Sequence, residues 1–103
     1  MMIARWHIEA RFGHKQTVID LLKRWDVEIG SQIGWTGDKV RHVTGSIGAL
    51  ESTIETEIRI ADLTELNNSF EKLGAIEAHK AWSKELEPYI VSGTPHWQIF
   101  RVV

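Results

Sequence analysis

Apolar and polar residues alternate from position 2 to position 12. Met2, Ala4, Trp6, Ile8, Ala10 and Phe12 take one side; Ile3, Arg5, His7, Glu9 and Arg11 take the other. A period of two predicts a strand with one buried face. Gly13 breaks the pattern. Val18, Leu21, Leu22, Trp25 and Ile29 then recur at the spacing of one helical stripe. "GWTGD" reads as a turn. Residues 39–50 form a weaker, glycine-bearing strand, and residues 52–61 a clear one, with Ile54, Thr56, Ile58 and Ile60 opposite Thr53, Glu55, Glu57 and Arg59. Asp62 is placed to cap a helix whose stripe is Leu63, Leu66, Phe70 and Leu73. Gly74 interrupts that helix, and "AIEAHKAWSKELEPYI" continues it as far as Pro88. "VSGTP" turns the chain, and "HWQIFRVV" closes it as a strand.

The element order β-α-β-β-α-β has one standard solution when connections are short and crossovers right-handed. It is a single ferredoxin-like α+β domain over residues 1–103, with a four-stranded antiparallel sheet and both helices on one face. The first and third strands become central neighbours. Their outer faces then bring Arg5, His7, Glu9 and Arg11 beside Glu55, Glu57 and Arg59, a mixture of signs suited to cross-strand pairing. The closing strand carries Trp97 and Ile99 on one face, Phe100 and Val102 on the other. Helices cover only one side of a sheet, so the second apolar face predicts a homodimer, sheet against sheet.

Composition narrows the function classes. The 103 residues carry a net charge of −2 and a pI near 6.2, which gives no general attraction to nucleic acid or anionic membranes. Cysteine is absent, which excludes thiolate metal sites, cysteine nucleophiles and a cysteine-based heavy-metal carrier. No run approaches membrane-spanning length and the N-terminus lacks an apolar signal core, so a soluble cytoplasmic protein is expected. The glycines at 30, 34 and 37 precede a strand rather than a helix and make no phosphate loop. The outer faces of the central strands lack the aromatics that an RNA-binding sheet needs. Five tryptophans in so short a chain point to a well-filled core, an interface or a pocket for a flat ligand.

The layout, with the ending Trp82, Leu86, Pro88, Ile90, Ser92, Gly93, Arg101 and Val103, resembles the dimeric α/β-barrel superfamily. That group includes NIPSNAP-like proteins, stress-responsive α/β-barrel proteins and small antibiotic-biosynthesis-type monooxygenases. The resemblance covers nearly the whole chain and implies a dimeric barrel with ligand pockets between the second helix and the sheet. It does not imply one activity, because one fold hosts unrelated chemistries. Haem-degrading members pair a helix histidine with an asparagine on the first strand. Here the only asparagines, Asn67 and Asn68, lie on the second helix, so a haem-binding member with His79 as the iron ligand is the least expected reading, and no cofactor is expected.

His79 is the candidate that matters most. At about 100° per residue, Ala75, Ile76, His79, Trp82 and Leu86 fall on one stripe of roughly 120°. The imidazole therefore points to the apolar side, as a core histidine satisfied by one hydrogen bond or as a pocket group that binds or acts on a ligand. Desolvation should lower its pKa and keep the ring neutral, with its N–H on an acceptor and the other nitrogen free. His7 falls on the opposite face of its strand, among Glu9, Glu55 and Glu57, where a charge-paired role is simplest. His14, His42 and His96 read as surface residues.

These observations lead to one expectation: a homodimer with a small, largely apolar pocket in each subunit, lined by Trp6, Phe70, His79 and Trp82. It would bind a small aromatic or polyketide-like compound, and His79 would serve as the base in any cofactor-free oxidation or rearrangement. The competing expectation is a non-enzymatic stress-response or scaffold dimer whose pocket is filled. An open cavity beside His79 separates the first from the second.

Overall fold

The computed structural model describes residues 1–103. The elements are β1 (Met2–Glu9), α1 (Lys15–Glu28), β2 (Val40–Thr44), β3 (Thr53–Ile60), α2 (Leu63–Gly74), α3 (Glu77–Leu86) and β4 (His96–Arg101). The strands form one antiparallel sheet in the order β2-β3-β1-β4, the ferredoxin-like arrangement, with β1 and β3 central. Two positions on β1 fix the registers: Trp6 lies opposite Thr56 on one side and Trp97 on the other, and His7 lies opposite Glu55 and His96.

The core fills the space between the helices and one face of the sheet. Ala4 and Ile8 from β1 and Ile54, Ile58 and Ile60 from β3 meet Val18, Leu21, Leu22 and Trp25 of α1, Leu66 and Leu73 of α2, and Trp82 and Leu86 of α3. Every member of the predicted α1 stripe is buried. Full burial of an isoleucine such as Ile8, Ile54 or Ile58 contributes about 1.5–3 kcal/mol. Asp62 caps α2 as expected, accepting from the Glu65 N–H at 2.8 Å.

Element ends differ from the sequence pattern, each for a local reason. β1 stops at Glu9, and Ala10 makes only an isolated bridge to Ile90. The Arg11 N–H then bonds to the Tyr89 carbonyl and the chain turns through Gly13 at φ 83°, leaving Phe12 fully exposed rather than on the core face. β2 is only five residues long. A Cβ at Gly45 would lie 1.8 Å from the Leu50 carbonyl oxygen, so the chain closes there into a glycine-only connection. The second helix is two helices. Ala75 ends α2, while Ile76 takes extended backbone (φ −95°, ψ 110°) and starts α3. Ala75 is consequently exposed and leaves the predicted stripe; Ile76 stays half-buried. Pro88 sits in a single 3-10 turn, Glu87–Tyr89.

On the other side of the sheet the predicted charges pair. Arg5 bridges Glu57 at 3.0 Å, and Arg41 of β2 reaches the same carboxylate at 2.6 Å. The two ring nitrogens of His7 lie 3.0 Å from Glu55 and 2.8 Å from Glu9, and His96 stacks on that ring at 4.7 Å. Phe100 lies on this face beneath the Arg5 guanidinium. No helix is long and apolar enough to cross a membrane.

Candidate functional site

Side-chain size on β3 begins the site. Its core-facing positions read Ile54, Thr56, Ile58 and Ile60, so one small polar residue interrupts an isoleucine row directly opposite Trp6. Thr56 forms part of the wall of a cavity of about 650 Å³ between the sheet and the helices. Trp6, Phe70, His79 and Trp82 all line it, and so do the other three tryptophans, Trp25, Trp35 and Trp97.

The aromatic rings close on one another. Trp6 neighbours Trp82 (6.5 Å between centroids), Trp82 neighbours Trp25 (6.1 Å) and Trp25 neighbours Trp35 (5.9 Å). Phe70 follows Trp35 at 6.5 Å and touches Trp97 at 5.2 Å, and Trp97 stacks back on Trp6 at 6.3 Å. Six rings contributed by β1, α1, the α1–β2 connection, α2, α3 and β4 thus encircle the cavity, at separations typical of favourable aromatic pairs. The sequence pointed to three of the six. Trp25 and Trp35 read as core and turn, and only the tertiary structure turns them toward the same space.

His79 sits between two of these rings. It stacks on Trp82 with 17° between planes, and its Nδ1 accepts the Trp25 indole N–H at 3.0 Å. Trp82 is anchored independently, its indole N–H donating to the Leu21 carbonyl at 2.8 Å. Burial pushes the His79 pKa below the usual 6.5, which favours the neutral ring. The hydrogen-bond polarity is the reverse of the expected one. Because Nδ1 accepts, Nε2 carries the proton, and the group left without a protein partner is an N–H donor rather than a free lone pair.

The sequence misplaced His42. It is half-buried, not superficial, because β2 presents Val40, His42 and Thr44 to the helix side. The alternation was illegible there, since valines occupy both faces of β2. His42 Nδ1 lies 2.8 Å from Thr56 Oγ1, its register partner, and Nε2 lies 2.6 Å from Asp26 Oδ2 on α1. Both His42 and Thr56 line the cavity. The second Asp26 oxygen, Oδ1, and the Trp35 indole N–H are buried without a protein partner.

His7 lies on the far side of the sheet and shares nothing with the cavity. His14 and His96 are exposed, as expected. The mouth is shaped by Val91, Ser92, Gly93 and Pro95, a segment tied to the end of β1 by Thr94, whose hydroxyl accepts the Glu9 N–H. Gly93 takes φ 83° there, in the left-handed region that favours glycine. Five residues of the family-like ending, Trp82, Leu86, Ile90, Ser92 and Gly93, belong to the cavity wall.

Known structures place the architecture. A NIPSNAP family protein from Agrobacterium tumefaciens superposes with a TM-score of 0.79 at 21% identity, covering 100% of this chain and 94% of that one. This chain has the fold of the NIPSNAP proteins. A NIPSNAP domain protein from Burkholderia xenovorans matches with a TM-score of 0.72 at 17% identity, covering 100% and 95%. An antibiotic biosynthesis monooxygenase matches with a TM-score of 0.68 at 11% identity, covering 100% and 99%. No family model and no curated protein matches the sequence. The NIPSNAP-like and monooxygenase-like resemblance therefore holds at the level of fold, which by itself assigns no chemistry.

Proposed function

We propose that this protein binds a small aromatic or polyketide-like compound in the cavity between helices and sheet. The observation that carries this reading is the closed ring of five tryptophans and Phe70 around an open space of about 650 Å³. Ligand pockets of this size are mostly apolar with a few placed polar groups, and a wall of π faces suits a flat, conjugated molecule. The polar side chains of the wall are few: His79, Thr56 and its partner His42, Ser83, Glu87 and Ser92. A purely structural scaffold would fill this space with side chains, so the open cavity argues against the scaffold alternative.

The protein acts as a homodimer in this reading, with the Phe100 face of the sheet against its partner. Oxidation or rearrangement of the bound compound, as in monooxygenases of the same fold, is the activity to seek. Titration of the intact protein with a panel of bicyclic and tricyclic aromatics, followed by tryptophan fluorescence, tests the binding. Saturable quenching that disappears in Trp82→Ala and in Trp6→Ala is expected. An unchanged spectrum across the panel, together with no co-purifying compound in native mass spectrometry, would overturn the reading.

A further inference from the structure

Asp26, His42 and Thr56 form a hydrogen-bonded line that begins on α1, crosses β2 and ends on β3 at the cavity. The polarity of that line follows from its chemistry. A carboxylate only accepts, so the His42 Nε2, 2.6 Å from Asp26, carries a proton. In the neutral ring Nδ1 is then a lone pair, and the Thr56 hydroxyl, 2.8 Å away, donates to it. With its single hydrogen committed to His42, the hydroxyl offers the cavity lone pairs only.

Packing alone gives no reason for this arrangement. Thr56 is 7% exposed and stands in a row otherwise made of isoleucine, and a valine there would fill the same space without a hydroxyl that needs a partner. We propose that Asp26, His42 and Thr56 are a proton relay that ionises a phenolic or enolic hydroxyl of the ligand. This proposal rests on the cavity being a binding site for aromatic compounds.

In the step itself, the ligand O–H donates to Thr56 Oγ1. Its proton transfers to Oγ1 while the threonine proton passes to His42 Nδ1. The ligand oxygen becomes an oxyanion that accepts from the new Thr56 O–H, and His42 becomes an imidazolium held against the Asp26 carboxylate. No electrons are exchanged and no other reactant is needed. Thr56 is the catalytic residue, in contact with the reacting hydroxyl; His42 receives the proton; Asp26 is a positioning residue that sets the tautomer and balances the imidazolium. A phenolate or enolate inside an apolar aromatic wall is electron-rich, the form in which such compounds are open to oxidation or rearrangement. His79 is not part of the line. Its N–H can only donate, which assigns it to holding an acceptor such as a carbonyl rather than to removing a proton.

The test uses 4-nitrophenol, whose phenolate absorbs visible light and whose neutral form does not, and 4-nitroanisole, which cannot ionise. Both are titrated into the intact protein at a pH where free 4-nitrophenol is mostly protonated. The bound phenol should be at least tenfold more ionised than the free one, seen as growth of the phenolate band. His42→Gln and Thr56→Val should lose the band while still binding 4-nitroanisole, Thr56→Ser should restore it, and Asp26→Asn should weaken it. Circular dichroism of each variant checks folding, and Thr56→Val carries the test if His42→Gln does not fold. A wild-type protein that binds both compounds and leaves the phenol neutral overturns the relay and leaves the binding reading intact. A phenolate band unchanged in folded His42→Gln and Thr56→Val also overturns it. Failure of either compound to bind at any concentration would remove the binding reading and the relay together.

Discussion

Replacing His79 distinguishes a ring that lines an open cavity from a ring that fills a core. In a sealed core, a large-to-small change costs about 2–5 kcal/mol, much of it for the void left behind. His79 is only half-buried and faces space that is already empty, so that contribution is small. What remains is the bond from Trp25. Trp25 is 7% exposed, and its indole N–H has no other partner than His79 Nδ1. A neutral hydrogen bond contributes about 0.5–1.5 kcal/mol net, and a buried donor left unpaired costs about 1–3 kcal/mol. His79→Phe, which keeps the stack on Trp82 and removes the acceptor, should therefore cost about 1–2 kcal/mol, and His79→Ala about the same. For a domain of this size each kcal/mol lowers the Tm by about 4–8 °C. The clean measurement is a double-mutant cycle with Trp25→Phe, read from denaturant midpoints, where the coupling should be about 1 kcal/mol. A loss above about 4 kcal/mol in His79→Ala, with no coupling to Trp25, would show a tightly packed ring and refute the cavity argument.

Four further outcomes are expected. Because the folded His79 pKa lies below the unfolded value near 6.5, the unfolded chain takes up its proton first on acidification, so stability should fall as the pH drops below about 6.5 and His79→Phe should flatten that slope in urea melts. At lower pH Glu9 takes over: burial works to raise its pKa, but hydrogen bonds from Ser52, Thr53 and His7 outweigh it and hold the carboxyl below 4.5, so Glu9→Gln should reduce the loss of stability below about pH 4.5. A Cβ at Gly30 would meet the Trp25 ring at 2.9 Å and the Trp35 carbonyl at 3.0 Å; Gly30→Ala should cost about 1–3 kcal/mol and shift tryptophan emission, whereas an unchanged spectrum and midpoint would mean that this corner of the cavity is loose. For the proposed homodimer, sedimentation should show two copies at micromolar concentration, and Phe100→Asp should yield a folded monomer; a wild-type monomer would remove the sheet-to-sheet assembly.

Periodicity along the chain was sufficient for the strand order, the central pairing of β1 with β3, the α1 stripe and the side of the sheet on which His7 lies. These depend on which face of an element is apolar, and that is written locally, residue by residue. The split of the second helix at Ala75 and Ile76 was only half visible, since Gly74 marks a weak point without saying how the backbone turns. A pocket lined by Trp6, Phe70, His79 and Trp82 was expected, but its size and the rest of its wall were beyond reach for a different reason. An empty space is a property of surfaces that face one another, here the sheet and the helices, and no stretch of sequence contains both. The aromatic ring and the line from Asp26 through His42 to Thr56 each join residues from at least three elements. Trp35 and His42 sit in segments with no clear period, one a turn and the other a strand with valine on both faces, so only packing decided which way they point. The polarity at His79 is likewise tertiary, because an imidazole nitrogen can donate or accept, and it was the Trp25 N–H arriving from another helix that settled which.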